Sequence, residues 1–188
     1  MAKNTGREAI NPPYFYEAGG VTSLISATAV PIIKDGKFIG AAGGDIELSL
    51  VNKRLSEVEV FDTGYVIMTD QNGAMVYHPD KALWGKDVTG NIDDTLSAAV
   101  RACLADGQAR HVKIVNKKTG ENLLCALAPF PIASTGMNWL VVLAAPLNEA
   151  MAPVNAGVLI IIVLGGTLLI ISLVVLYYLV RGVTRSLE

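Results

Sequence analysis

Residues 156–180 run for 25 consecutive positions without a charge, and 17 of them are Leu, Ile or Val. A helix of that length spans roughly 37 Å at about 1.5 Å per residue, enough to cross a bilayer with some tilt. Core helices of soluble proteins seldom exceed about 14 wholly apolar residues. The run therefore predicts one C-terminal transmembrane helix, with roughly 5–10 kcal/mol of aliphatic side-chain transfer favouring insertion. Arg181 and Arg185 follow it at once, whereas no Lys or Arg lies between Lys118 and the span. This asymmetry predicts a cytoplasmic C-terminus and residues 1 to about 150 outside, with Tyr177 and Tyr178 near the inner interface.

The remaining length has room for one ordinary domain, or a small domain plus an accessory piece. Export of that part requires a signal peptide or an earlier membrane helix, yet the first 20 residues, MAKNTGREAINPPYFYEAGG, hold no apolar core of a signal sequence. The expectation is a fragment of a longer chain whose upstream part carries the first span. With 15 basic against 17 acidic residues, a net charge of -2, there is no basic field to hold a phosphate backbone. Nucleic acid is excluded as a partner.

Residues 22–33 (TSLISATAVPII) and 38–46 (FIGAAGGDI) are β-rich runs flanking Lys34-Asp35-Gly36-Lys37, a hairpin signal. Gly40, Gly43 and Gly44 weaken the second strand, which implies close approach of a neighbouring element or of a ligand. Leu48, Val51, Leu55 and Val58 recur at helical spacing, so residues 47–59 read as an amphipathic connector. A second hairpin follows at residues 64–69 and 74–78, where Asn72-Gly73 is expected to supply two positive φ angles. Asp93 or Asp94 can cap a helix through about Ala105, with Leu96, Val100 and Leu104 on one side and Gly107 ending it. Strands at 110–115, 122–130 and 138–145 complete the series, with turns at 118–120 and 134–136. Two strands, a helix and three strands predict an α+β domain: a five-stranded antiparallel sheet with helical cover on one side. Leu147 to Pro153 is a polar helical lead from the last strand into the span.

No constellation supports catalysis. Cys103 and Cys125 stand alone, outside any metal-type doublet, and are expected to be buried thiols rather than a disulfide. His78 and His111 have no nucleophile motif around them, and Gly40-Ala41-Ala42-Gly43-Gly44 lies within a strand, unlike a phosphate loop. Neither an enzyme nor a bound cofactor is expected. Tyr77-His78-Pro79-Asp80-Lys81 looks like the loop of J-domain co-chaperones, but the strand and Asn-Gly turn before it replace the basic helix that family needs. A turn in which His78 caps a strand end is the preferred reading.

Taken together, Pro13-Tyr14-Phe15-Tyr16-Glu17, Ala29-Val30-Pro31, Asp35-Gly36-Lys37-Phe38-Ile39-Gly40, Gly44-Asp45-Ile46, Thr63-Gly64-Tyr65, Asp70-Gln71-Asn72-Gly73 and His78-Pro79-Asp80 resemble, in order and spacing, the double Cache sensor domains of bacterial methyl-accepting chemotaxis proteins. The resemblance covers roughly residues 12–146 and implies a PAS-like Cache module at 48–147. Residues 1–47 would be the last hairpin of a membrane-distal module. Residues 148–180 would be the lead and transmembrane helix, and 181–188 the opening of a HAMP relay, with Ser186 where that family usually has Pro. It further implies a periplasmic sensor in the bacterial inner membrane, a homodimer, and a small-molecule ligand such as an amino acid or small organic acid.

In amino-acid-binding members an Arg and aromatic residues combine with a later Tyr and a later Asp. The last two map to Tyr14 or Tyr16, which the spacing does not separate, and to Asp45; the Arg and Trp positions should precede Met1. A strand-end carboxylate can accept charge-assisted hydrogen bonds from a ligand ammonium, and a Tyr hydroxyl can bond its polar groups. Asp45 could equally cap the connector helix. Histidine kinases and cyclic-dinucleotide enzymes share such outer domains, so their sensor part is one alternative reading. A truncated membrane-anchored interaction module is another.

Overall fold

The computed structural model describes residues 2–116 and 119–185, apart from the side chains at 155, 156, 175 and 177–185. The Arg-rich end of the span, Tyr177, Tyr178, Lys118 and the HAMP-like residues therefore lie, in whole or in their side chains, outside what is described. The chain forms two units, residues 1–147 and 148–188.

The first unit begins with a short helix α1 (Ala2–Thr5) and strands β1 (Ala9–Ile10) and β2 (Tyr14–Ala18). The hairpin of β3 (Val21–Lys34) and β4 (Lys37–Glu47) follows. Asp35 and Gly36 sit at φ 51° and 73°, the two left-handed positions that a two-residue turn needs to follow the twist of its strands. β1 and β2 both pair with one edge of β3, and β4 pairs with the other. The sequence reading assigned only the β3–β4 hairpin. β2 adds a third layer of strand pairing, bounded by Pro12-Pro13 and by a Gly19-Gly20 turn.

Of the three strand glycines, Gly43 alone is packed against a neighbour: a Cβ there would lie 2.1 Å from the Thr28 carbonyl oxygen, whereas Gly40 and Gly44 face open space. Helix α2 (Ser49–Ser56) starts behind Leu48, which provides no side-chain cap.

The second sheet has five antiparallel strands in the order β6-β5-β9-β8-β7: β5 (Tyr65–Thr69), β6 (Met75–Tyr77), β7 (Arg110–Val115), β8 (Asn122–Ile132) and β9 (Met137–Pro146). Between β6 and β7 runs helix α3 (Asp94–Asp106). The Asp93 carboxylate accepts from the N–H groups of Thr95 and Leu96 at 2.9 and 3.3 Å, and left-handed Gly107 closes the far end by donating to the Cys103 carbonyl. Leu96, Ala99, Val100 and Cys103 face the sheet at helical spacing. There they meet Ile67, Cys125, Leu127, Leu140 and Val142 in one buried core. Both cysteines are fully buried and unpaired.

Two details differ from the sequence reading. The turn between β5 and β6 has only Gly73 at positive φ. It is organised instead by Asp70, whose Oδ1 accepts from the N–H groups of Asn72 and Ala74 at 2.9 and 2.7 Å, an Asx arrangement that replaces the second left-handed residue. The sheet is also covered on both sides near β5, β6 and β9. Val66, Met68, Val76 and Trp139 pack with Leu48, Val51 and Leu55 of the α2 region and with Ile10 and Leu24 of the N-terminal strands. The connector is therefore a packing element, because its apolar stripe finds a second apolar face.

The second unit is α4 (Leu147–Arg185), a single helix with Pro153 inside it. Residues 147–174 are long and apolar enough to cross a membrane.

Candidate functional site

The register of the N-terminal sheet decides how the three residues named from sequence relate. Tyr14 pairs with Ile25 and Tyr16 with Ser23, while Asp45 pairs with Ala27. Directly opposed residues and every second residue along a strand share a face. Tyr14, Tyr16 and Asp45 therefore project from the same side, the tyrosines on β2 and the carboxylate on β4. Strand spacings of about 4.8 Å and rises of about 3.4 Å per residue put Tyr14 roughly 12 Å from Asp45 and Tyr16 roughly 17 Å away, Cα to Cα. The first distance suits a small ligand held between two side chains.

All three are exposed. Asp45 does not cap α2, so its carboxylate is free to accept from outside; among the described residues it has no hydrogen-bonding partner. Glu47, on the same face, accepts from the Ser23 hydroxyl at 3.2 Å. The surrounding sheet is unusually apolar for a surface: Val30, Ile32, Ile33, Phe38, Ile39 and Ile46 are all exposed.

A second concavity lies in the five-stranded module and was not legible in the sequence. Its volume is about 550 Å³, within the range of small-molecule sites, and Ile67, Leu83, Ile92, Leu96 and Ile114 form its apolar wall. The His78-Pro79-Asp80 corner forms one rim. There His78 Nδ1 accepts from the Asp80 N–H at 2.9 Å, Asp80 Oδ1 accepts from the Ala82 N–H at 3.0 Å, and Trp84 Nε1 donates to the His78 carbonyl at 2.8 Å. The corner is thus the strand-end turn read from the sequence. His78 stands edge-on to Tyr65, ring centroids 6.0 Å apart. Burial first, and then the Cys125 and Asp93 charges, push the Tyr65 hydroxyl above its ordinary range. Burial followed by Asp93 pushes the Cys125 thiol up to about 11. Sequence missed this site because its residues converge from β5, β7, α3 and the segments that follow β6 and β7. The signals available were His78-Pro79-Asp80, legible as a strand-end turn, and Asp93, legible as a cap.

A Cache domain family model matches residues 3–154. The methyl-accepting chemotaxis protein TlpQ of Pseudomonas aeruginosa is 29% identical over 201 aligned positions, which cover 98% of this chain and 27% of that protein. The chain thus spans about a quarter of that relative's length. Among solved structures, the extracellular domain of mmHK1S-Z2, described as a histidine kinase, is 29% identical with a TM-score of 0.66, over 79% of this chain and 54% of that one. The ligand-binding domain of the Pseudomonas aeruginosa amino acid chemoreceptor PctC, solved in complex with GABA, shares the fold at 21% identity and a TM-score of 0.56, over 77% of this chain and 58% of that one.

Proposed function

Because this chain belongs to the Cache domain family, we propose that it is the ligand-sensing and membrane-spanning part of a bacterial chemoreceptor, working as a homodimer in the inner membrane. In this reading residues 1–47 belong to a membrane-distal module, 48–147 form the membrane-proximal one, 148–180 lead into and cross the bilayer, and 181–188 open a HAMP relay. Residues 1–147 lie in the periplasm and the C-terminus in the cytoplasm. The observation that carries the proposal is a junction: β9 ends at Pro146 and α4 begins at Leu147 with no residue between them. A sheet joined so directly to an apolar helix suits a device that converts a ligand's differential affinity for two states into a helix displacement.

The ligand is an amino acid or another small organic acid, held by Asp45 and a tyrosine. Of the two tyrosines, Tyr14 is favoured, since it stands diagonally across β3 from Asp45 whereas Tyr16 is two residues further along. Asp45→Ala and Tyr14→Phe are each expected to weaken amino-acid binding by the receptor about tenfold in calorimetry, and Tyr16→Phe less than about twofold. The output reading is tested by sequencing the coding DNA on both sides. A membrane helix upstream, with HAMP and a long helical signalling region downstream, supports the chemoreceptor; in-frame stops closing both ends overturn it.

A second reading keeps the sensor and changes the output to a histidine kinase. It is favoured by the mmHK1S-Z2 ectodomain, which is as similar to this chain as TlpQ is. A kinase domain downstream would decide for it.

A further inference from the structure

The sheet row that holds Asp45 continues across β3 to Asn11. Ile10 of β1 pairs with Thr28, and the next residue, Asn11, donates its backbone N–H to the Ala27 carbonyl at 2.8 Å. Asn11 therefore stands opposite Ala27, which pairs on its other side with Asp45. Opposed residues share a face, so Asn11 projects from the face that carries Tyr14, Tyr16 and Asp45. It is exposed, and its backbone is held independently of its side chain: the Asn11 carbonyl accepts from the Ser26 hydroxyl at 2.6 Å.

The polar groups of this face are sorted by strand. On β4 stand Asp45 and Glu47, the latter directly across Ile25 from Tyr14. On the side of β1 and β2 stand Asn11, Tyr14 and Tyr16. Ionised carboxylates only accept hydrogen bonds, whereas an amide and a phenolic hydroxyl can donate them. A zwitterion fits in one orientation, with its ammonium toward β4 and its carboxylate toward β1. The floor is low where it would lie: Ala27 alone separates Asn11 from Asp45, and the next row is Ala9, Ala29 and Gly43. Two strand spacings put the Cα atoms of Asn11 and Asp45 roughly 10 Å apart, closer than Tyr14 is to Asp45. A hydrogen bond of about 2.8 Å at each end leaves roughly 4 Å between, which suits two charged groups carried on one carbon.

We propose that Asn11 is a specificity-determining residue of the Tyr14–Asp45 face: its side-chain amide donates to the carboxylate of an α-amino acid whose ammonium is held by Asp45, and the ligand's side chain lies over Ala29 and Gly43. The inference rests on the amino-acid reading of that face and adds to it an orientation and a basis for selection. An amine without the carboxylate satisfies Asp45 but leaves the Asn11 amide without its partner. An acid without the amine satisfies Asn11 but brings a like charge to Asp45 and Glu47.

The test uses the full chain in nanodiscs, with empty nanodiscs as the reference, and two pairs of probes whose members differ only in the carboxylate: L-alanine with ethylamine, and L-leucine with 3-methylbutylamine. Calorimetry at neutral pH is expected to show the amino acid of a pair binding at least tenfold more tightly than its amine. Asn11→Ala keeps both backbone hydrogen bonds of the residue, so circular dichroism should stay unchanged. It should weaken the amino acid about tenfold and the amine less than about twofold. Asn11→Asp, which sets a like charge against the carboxylate, should make the amine the tighter ligand. Asp45→Ala should weaken both members of a pair. Unchanged amino-acid affinity in Asn11→Ala or Asn11→Asp, or an equal loss for amine and amino acid in Asn11→Ala, overturns the role of Asn11 alone, provided that Asp45→Ala still weakens both. Unchanged binding of both in Asp45→Ala, or no binding of any probe at millimolar concentration, overturns the amino-acid reading of the face and this inference with it.

Discussion

Gly40 and Gly43 sit on the same strand, and the same substitution should affect them in opposite ways. At Gly43 a methyl group would collide with the Thr28 carbonyl and with the Ala29 backbone, so the strands must separate; at Gly40 nothing lies within reach. Gly43→Ala is expected to cost about 1–3 kcal/mol, whereas Gly40→Ala should be neutral or gain up to about 1 kcal/mol by restricting the unfolded chain. Urea unfolding followed by the fluorescence of Trp84 and Trp139 measures both. An equal loss at the two positions would contradict the packing role given to Gly43. The residue scale is also where sequence reading stopped short at the candidate site. It named Tyr14, Tyr16 and Asp45 but could not choose between the tyrosines, because the choice depends on which rows of β3 they face. Only the register supplies that.

Elements with their own punctuation were the ones legible in the sequence. The β3–β4 hairpin carries Asp35-Gly36, and α3 carries Asp93 before it and Gly107 after it; both stand where those signals put them. β1 and β2 were missed because their signals are weak in isolation: two residues and five, next to Pro12-Pro13, stabilised by pairing with a distant strand. The Asp70 turn was recognised as a turn but given the wrong chemistry, since an Asx side chain and an Asn-Gly pair compete for the same few residues. For α4, the proposed crossing makes a quantitative claim. Its aliphatic side chains favour insertion by roughly 5–10 kcal/mol, and one central Arg in place of Leu costs about 3–4 kcal/mol. Leu168→Arg alone should therefore leave the segment inserted, while Leu168→Arg with Ile171→Arg should drop insertion to a partial level in a glycosylation-mapping assay. Loss of insertion with the single change would show that the span is weaker than its composition implies.

For the whole molecule, the proposed topology assigns the two ends to different compartments. In cells expressing the native gene, Lys37→Cys on the β3–β4 hairpin should react with a membrane-impermeant maleimide added to spheroplasts. Cys103 and Cys125, both at 0% exposure, should contribute little background. A green fluorescent protein fused after residue 188 should fluoresce, as it does only in the cytoplasm. The reverse pattern would invert the orientation and with it the sensor reading.

The β3–β4 ribbon also affects how the protein behaves in the test tube. β4 pairs with β3 alone among the described residues, so along its 11 residues the outer edge offers unused donors and acceptors beside exposed Phe38, Ile39 and Ile46. Such an edge is a template for adding another strand; β4 has no proline, and its one irregularity, Ile39 as the extra residue between the Ile32–Gly40 and Ile33–Phe38 pairs, interrupts it only near its start. Concentrated preparations will therefore be limited by association through this ribbon rather than by unfolding of the five-stranded module, and a charge placed at Ile39 is the simplest way to keep them dispersed.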